Sequence, residues 1–419
     1  MPDASPGIHY KGLLFSALSL FAVACTDHTD NLADAIQPPS VAFLGSPIDA
    51  GAIGAQNLLS FDIYADGVTL HALFAASTAD SSRHYLGYLR STDGGQHWSA
   101  PKEIGNYFPG KLESRIGNDV QIAASGNRIL AVWQVSGEIP GMGPLVTLSS
   151  SDGGQSWMRG INPTGSDTDQ SHADLAADSQ GRFHLVWLDD RDENGYQGLR
   201  YARSSDAGLN WELAQTVDDS SCSCCWNRIV VSPDDRIHVL YRDMDPRDMA
   251  LAQSADGGQT WRRTATVGNF NWKFDGCPHN GGGLAFAGGE KWHSLVWTGA
   301  DNQVGLYHLQ SYDNGQNWTP PRAMASGQPA FHSDIATGND GALLASWDVL
   351  GDKNTSLVAS LSTDDGQQWS VPQVLSAEGS SASFPRLVAS ASGWLALWLE
   401  QPAGGNKQWR SALIKKQTP

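Results

Sequence analysis

The sequence predicts an all-β fold, a single β-propeller of seven four-stranded blades, on three observations. A short turn pattern recurs six times, an aromatic-ended strand recurs seven times, and the composition suits strands joined by tight turns. The 419 residues include 45 Gly and 16 Trp, while charged residues are only 17%. A disordered chain would be poorer in aromatics and richer in charge. With 27 basic against 44 acidic side chains the net charge is −17, which argues against a nucleic-acid backbone or an anionic membrane as the main partner. No apolar run after residue 25 reaches the roughly 18 residues of a spanning helix.

The turn pattern is S-x-D-x-G-x-x-W. It runs Ser91–Trp98, Ser150–Trp157, Ser204–Trp211, Ser254–Trp261, Ser311–Trp318 and Ser362–Trp369. Its aspartates (Asp93, Asp152, Asp206, Asp256, Asp313, Asp364) lie 59, 54, 50, 57 and 51 residues apart. Ser and Asp side chains bond nearby backbone N–H groups, Gly takes a turn conformation closed to other residues, and Trp packs below. The aromatic-ended strands are Leu70–Phe74, Leu130–Trp133, His184–Trp187, His238–Tyr241, His293–Trp297, Leu343–Trp347 and Trp394–Trp398. Only the last has no turn pattern behind it. The seventh unit therefore lacks a fourth strand, and Ser40–Leu44 is expected to supply it and close the ring.

The six patterns are Asp boxes, and the chain resembles the Asp-box (BNR) proteins of the sialidase superfamily over nearly its whole mature length. The resemblance implies rim-located, structural boxes. It also makes six blades the alternative count, since the family's sialidases have six. Those enzymes clamp a substrate carboxylate with three arginines and use a Tyr–Glu nucleophile pair with an Asp acid/base. Their aromatic-Arg-Ile-Pro motif is absent here, and Asn57–Tyr64 contains no arginine. Arg115, Arg228 and Arg386, at strand starts facing the channel, are the candidates for such a clamp. An exo-α-sialidase or other glycan hydrolase is thus one reading of the top face, and a protein-interaction platform another.

The starts of the innermost strands should converge on one face although they lie about fifty residues apart. Read in register they are Glu113-Ser114-Arg115, Ser171-His172-Ala173-Asp174, Cys222–Arg228, Cys277-Pro278-His279-Asn280, Phe331-His332-Ser333-Asp334 and Phe384-Pro385-Arg386. Every cysteine of the folded region (Cys222, Cys224, Cys225, Cys277) falls in two neighbouring starts, with His172, His279 and His332 from the same ring. Three readings stand open. They are disulfides, a site for copper or zinc drawn from Cys222, Cys224, Cys225, Cys277, His279, His172 and His332, in which Cys224, Cys225 and Cys277 should meet with His279 behind and His172 or His332 as further ligands, and a redox pair in C-x-x-C from Cys222 to Cys225. The chain also resembles exported sialidase-like proteins that share Cys224-Cys225 and Asp275-Gly276-Cys277-Pro278-His279, with Arg247-Asp248 nearby.

Residues 1–24 read as an export signal: Lys11, then the apolar Gly12–Ala24, too short to span a bilayer. Phe21-Ala22-Val23-Ala24-Cys25 resembles a bacterial lipoprotein cleavage site, which implies lipidation of Cys25. Thr26 in place of Asp implies the outer membrane. Residues 25–39 read as a polar tether and 40–419 as the propeller. A monomer at the cell envelope is expected. It would touch the membrane only through its anchor and take a glycan or protein ligand on its top face.

Overall fold

The computed structural model describes residues 44–48, 57–105, 111–138, 141–165, 170–189, 197–325, 329–390 and 393–416. They form seven four-stranded antiparallel sheets, six of them meanders in chain order and the seventh completed by a strand from the amino-terminal part of the chain. Blade three is representative, with strands Gln170–Ala177, Phe183–Asp189, Gln197–Ser204 and Gln215–Ser221. The innermost strands of the other blades are Asn57–Asp66 (one), Gln121–Ser125 (two), Arg228–Val231 (four), Gly282–Phe286 (five), Ala330–Thr337 (six) and Ser381–Ser390 (seven). Seven blades are present, so the six-bladed alternative is excluded.

The core lies between blades. Leu73, Leu86 and Tyr88 of blade one pack with Ile122, Ile129 and Trp133 of blade two. Leu58 and Leu70 of blade one meet Leu395, Leu397 and Trp409 of blade seven. Each second strand is covered on both faces, and this is why Phe183–Asp189 is buried at every residue instead of alternating.

The six boxes behave alike and join third strands to fourth. In blade two, Ser150 Oγ donates to Asp152 Oδ1 (2.8 Å) and accepts from Gly154 N (2.9 Å), while Ser156 N donates to Asp152 Oδ1 (2.9 Å). Hydrogen bonds from Ser156 hold the Asp152 carboxyl down at about 2. The box aspartates are thus acceptors for their own turns, and the outermost strand after such a box shrinks to two residues in blades two, five and six.

Blade seven has three strands from the carboxy-terminal part of the chain and a fourth from the amino-terminal part. The closing strand is Leu44–Ile48, paired antiparallel from Leu44↔Lys415 to Ile48↔Ser411. The expected segment was correct in role: its Leu44 opens the closing strand, which continues to Ile48, and residues 40–43 lie outside the described residues. Apolar character is a poor guide to this strand, because a ladder is made by backbone groups whatever the side chain; it runs through Ser46 and through Pro47, which has no N–H to donate and is tolerated because the strand lies on an edge. Deleting residues 44–48 is expected to expose the amides of Ser411–Lys415. Five lost ladder pairs at roughly 0.5–1 kcal/mol each should speed their hydrogen exchange by about a hundredfold to a few thousandfold, read by exchange mass spectrometry.

Candidate functional site at the channel mouth

The innermost strands start with a shared irregularity. Register shifts fall between Ser171 and Asp174, Phe331 and Asp334, and Ser383 and Arg386. The bulged residue has positive φ in each case: His172 (51°), His332 (35°) and Phe384 (57°), with His279 (50°) just before the strand of blade five. Left-handed backbone is costly for residues with a Cβ, so the repeat of this geometry marks a constraint of the ring. It gathers side chains at the channel mouth. His332 stacks on Phe384 (centroids 3.9 Å, 17°), and Trp226 lies 5.5 Å from each. Gly281 is required beneath Trp226, since a Cβ there would collide with the indole nitrogen.

Two residues beyond the bulge stand the groups that tie one blade to the next. Asp174 Oδ2 accepts from Ile229 N (2.7 Å) and Asp334 Oδ2 from Leu387 N (2.9 Å); Asp62 Oδ2 of blade one accepts from Ile122 N (2.9 Å). Each carboxylate caps a backbone donor of the following inner strand. Arg386 Nη2 pairs with Asp119 Oδ2 at 3.2 Å. Burial pushes Asp62 up to about 7 and Asp119 to about 6, in both cases against the lowering effect of Arg386. Burial also raises Asp174, with Arg228 opposing.

Beside this channel the cysteines form a compact group. The sulfurs of Cys222, Cys224 and Cys225 lie within 4.8 Å of one another, and all three residues are buried. Cys222 Sγ is 3.8 Å from Cys224 Sγ and 3.4 Å from Cys225 Sγ. Arg247 Nη1 points at Cys222 Sγ from 2.9 Å, and its Nε donates to Phe274 O (3.0 Å). Asn280 N donates to Cys225 Sγ (3.4 Å), while both polar atoms of the Asn280 side chain are buried with no partner among the described residues. The neighbouring thiols, and then Arg247, hold Cys222 well below the usual thiol range; burial pushes Cys225 up to about 12.

The loop 242–248 is turned inward. Arg242 donates to Asn280 O (3.0 Å) and Trp297 O (3.0 Å), and Asp248 accepts from Asn271 N (2.7 Å) and Trp272 N (3.2 Å). Of its acidic residues only Asp245 is exposed. The paired charges of this loop are braces for the strand start that carries the thiols.

The expected ligand set changes accordingly. Of the four candidate sulfurs, Cys222 gathers with Cys224 and Cys225 while Cys277 stays apart, exposed in the Asp275–His279 segment, where its carbonyl faces His279 Nδ1 at 2.9 Å. All four cysteines carry free thiols. His279 is exposed, and His332 Nδ1 bonds Asp348 Oδ2 (2.7 Å). Buried His172 bonds Ser171 Oγ (2.9 Å); burial and then Arg115 lower it to about 3, so it is neutral, and it feels Cys222 electrostatically. Of the clamp candidates, Arg228 and Arg386 line the channel cavity with Asp119, Asp174 and Asp334, whereas Arg115 is exposed and is not among its lining residues. Sequence reasoning missed Gln121, Asp348 and the thiolate partner role of Arg247. The strand-start register would have found the first, but the others come from second strands and a loop.

Burial outweighs the lowering effects of Arg386 and Arg228 and raises Asp62, so the folded state binds more protons than the unfolded chain between about 4 and about 7. Stability is therefore lost as pH rises through that window. Asp62→Asn keeps an oxygen for Ile122 N and removes the ionisation. It is expected to raise the unfolding temperature at pH 8, by an effect of the order of 2 kcal/mol, with the gap to the wild type closing at pH 4.

Residues 90–293, a little under half of the chain, match the family model described as the BNR repeat-like domain. No curated protein matches the sequence. Among solved structures, an ulvan lyase of polysaccharide lyase family PL25 has a TM-score of 0.58 at 12% identity, covering 89% of this chain and 96% of that one. A Dyadobacter fermentans protein of unknown function gives 0.51 at 14% (91% and 100%). YCF48 bound to a D1 peptide gives 0.51 at 16% (88% and 97%). At these identities the likeness is one of fold. With six boxes in place and a fourth strand of blade seven supplied from the amino-terminal part, the described residues form a seven-bladed Asp-box β-propeller, of which residues 90–293 match the BNR repeat-like domain.

Proposed function

We propose that the propeller binds a soft metal ion, Cu(I) or Zn(II), through Cys222, Cys224 and Cys225. The observation that carries this is the convergence of three buried sulfurs at 3.4 and 3.8 Å. An ion about 2.3 Å from each sulfur holds them roughly 3.8–4.0 Å apart, so small side-chain shifts suffice. Thiolates select soft ions. A three-thiolate complex is anionic, and the Arg247 guanidinium against Cys222 offsets part of that charge in a buried place. Cu(I) suits a three-sulfur set directly, while Zn(II) needs a fourth donor, for which Asn280 and His172 stand nearest by their contacts with the cluster. Glycoside hydrolysis by an arginine clamp has less support, since two of its three candidates face the channel and both meet carboxylates there.

Metal content and thiol titration on one anaerobically purified sample test the reading. Stoichiometric copper or zinc is expected, lost in Cys222→Ser and Cys225→Ser and retained in Cys277→Ser. Metal-free protein with Cys222 and Cys225 joined and unreactive would overturn it.

With Cys25 lipidated, the propeller would stand on a tether at the bacterial cell envelope. Mass spectrometry of the mature protein is then expected to find a diacyl or triacyl group on Cys25, and an unmodified mature start would refute the anchor.

A further inference from the structure

We propose that the exposed pair Cys277 and His279 is a loading site, which takes a soft metal ion at the surface and passes it by ligand exchange to the buried thiols. The inference rests on the three-thiol reading above and adds a route to it. Burial creates the need. Cys222, Cys224 and Cys225 are only 1%, 7% and 1% exposed, so a metal donor in solution meets almost no sulfur. An ion stripped of its ligands does not cross a protein wall unaided, because burying an unpaired charge is too costly. Ligands at the surface, next to the cluster, remove that cost.

Position supplies them. The segment 275–279 is an arch with both feet on the thiols. At one foot Phe274 O accepts from Arg247 Nε (3.0 Å), and the same guanidinium points its Nη1 at Cys222 Sγ from 2.9 Å. At the other foot Asn280 N donates to Cys225 Sγ (3.4 Å), while Asn280 O accepts from Arg242 Nε (3.0 Å). The arch carries a thiol and an imidazole, both ligands of these ions, and both are exposed. Three Cα steps join Cys277 to Asn280, so their Cα atoms are at most about 11 Å apart. His172 feels Cys222 and His279 together, which places the second imidazole at the same edge of the cluster.

The histidine is oriented for a metal. Its Nδ1 lies 2.9 Å from Cys277 O, and a carbonyl only accepts, so Nδ1 carries the proton. In the neutral ring Nε2 then keeps its lone pair, the arrangement by which a backbone carbonyl fixes a ligating imidazole. The next residue adds a further ligand atom. Asn280 is 1% exposed, yet its Oδ1 and Nδ2 both lack a hydrogen-bond partner among the described residues. An unanswered buried oxygen costs free energy, and this one belongs to the residue that joins the arch to Cys225.

The transfer is an exchange of ligands and not a redox step. The ion keeps its oxidation state throughout. Each thiol that binds it gives its proton to water, and Cys277 takes a proton back when it lets the ion go. At equilibrium the metal rests on the buried thiols, so the arch governs the rate of filling and not the amount bound.

Stopped-flow mixing of the reduced full chain with the bicinchoninate complex of Cu(I), whose colour fades as the metal leaves, tests this without oxygen. Cys277→Ser combined with His279→Ala is expected to slow the fading by about tenfold or more and to leave the final uptake unchanged. Cys277→Met should fill at close to the wild-type rate, since a thioether also binds Cu(I). A double variant that fills as fast as the wild type would overturn the loading role and leave the three-thiol site standing. So would a Cys277→Met protein as slow as the double variant, which would make Cys277 a structural residue. Loss of final uptake in the double variant would make the pair permanent ligands and overturn the loading role likewise. A wild type that takes no copper at all would overturn the three-thiol site and the loading role together.

Discussion

A buried carboxylate that accepts a backbone N–H from the next blade is the contact on which the channel depends. Asp62, Asp174 and Asp334 make it between blades one and two, three and four, and six and seven. Hydrophobic burial between blades drives the sheets together but is tolerant of small slides. The carboxylate bonds are directional, and they hold the inner strands at a set height around the axis. Their cost is desolvation, visible in the raised Asp62 and Asp174. The same residues that lock the ring therefore leave its channel acidic.

The thiol cluster depends on a different set of supports. Its strand start is held by Arg242 and Arg247, whose guanidiniums reach backbone carbonyls of blade five and the segment before it. Arg242 also lies over the Trp272 ring at 5.2 Å. The charged loop of blade four is consequently an internal brace, and the adjacent blades four and five act as one platform. Trp226 follows Cys225 directly, so the thiols and the channel wall share one strand start while facing different surroundings.

Much of this architecture is legible in the chain. The six Asp boxes and the seven aromatic-ended strands each report a local rule: side-chain capping of a turn, and burial on both faces of a second strand. Local rules repeat, and repeats can be counted. The strand-start register likewise led to His172, His332 and Phe384 at the mouth, because blades three, six and seven enter their inner strands through the same bulge. The identity of the third sulfur was not legible, since Cys222 is near Cys224 and Cys225 in sequence, Cys277 by blade adjacency, and only packing separates them.

By itself the sequence determined the fold class, the blade count, the closing role of an amino-terminal strand and the face on which cysteines and histidines gather. These follow from periodicity and from backbone hydrogen bonding, which act over a few residues or between identical units. Tertiary structure alone decided that Cys222 and not Cys277 joins the sulfur group, that Arg247 faces a thiol, and that Arg228 and Arg386 are outnumbered by carboxylates. Those outcomes depend on which side chains share a buried space. Desolvation and Coulomb energies there are set by distances between residues up to 267 positions apart, as in Arg386 and Asp119, and no local pattern encodes them.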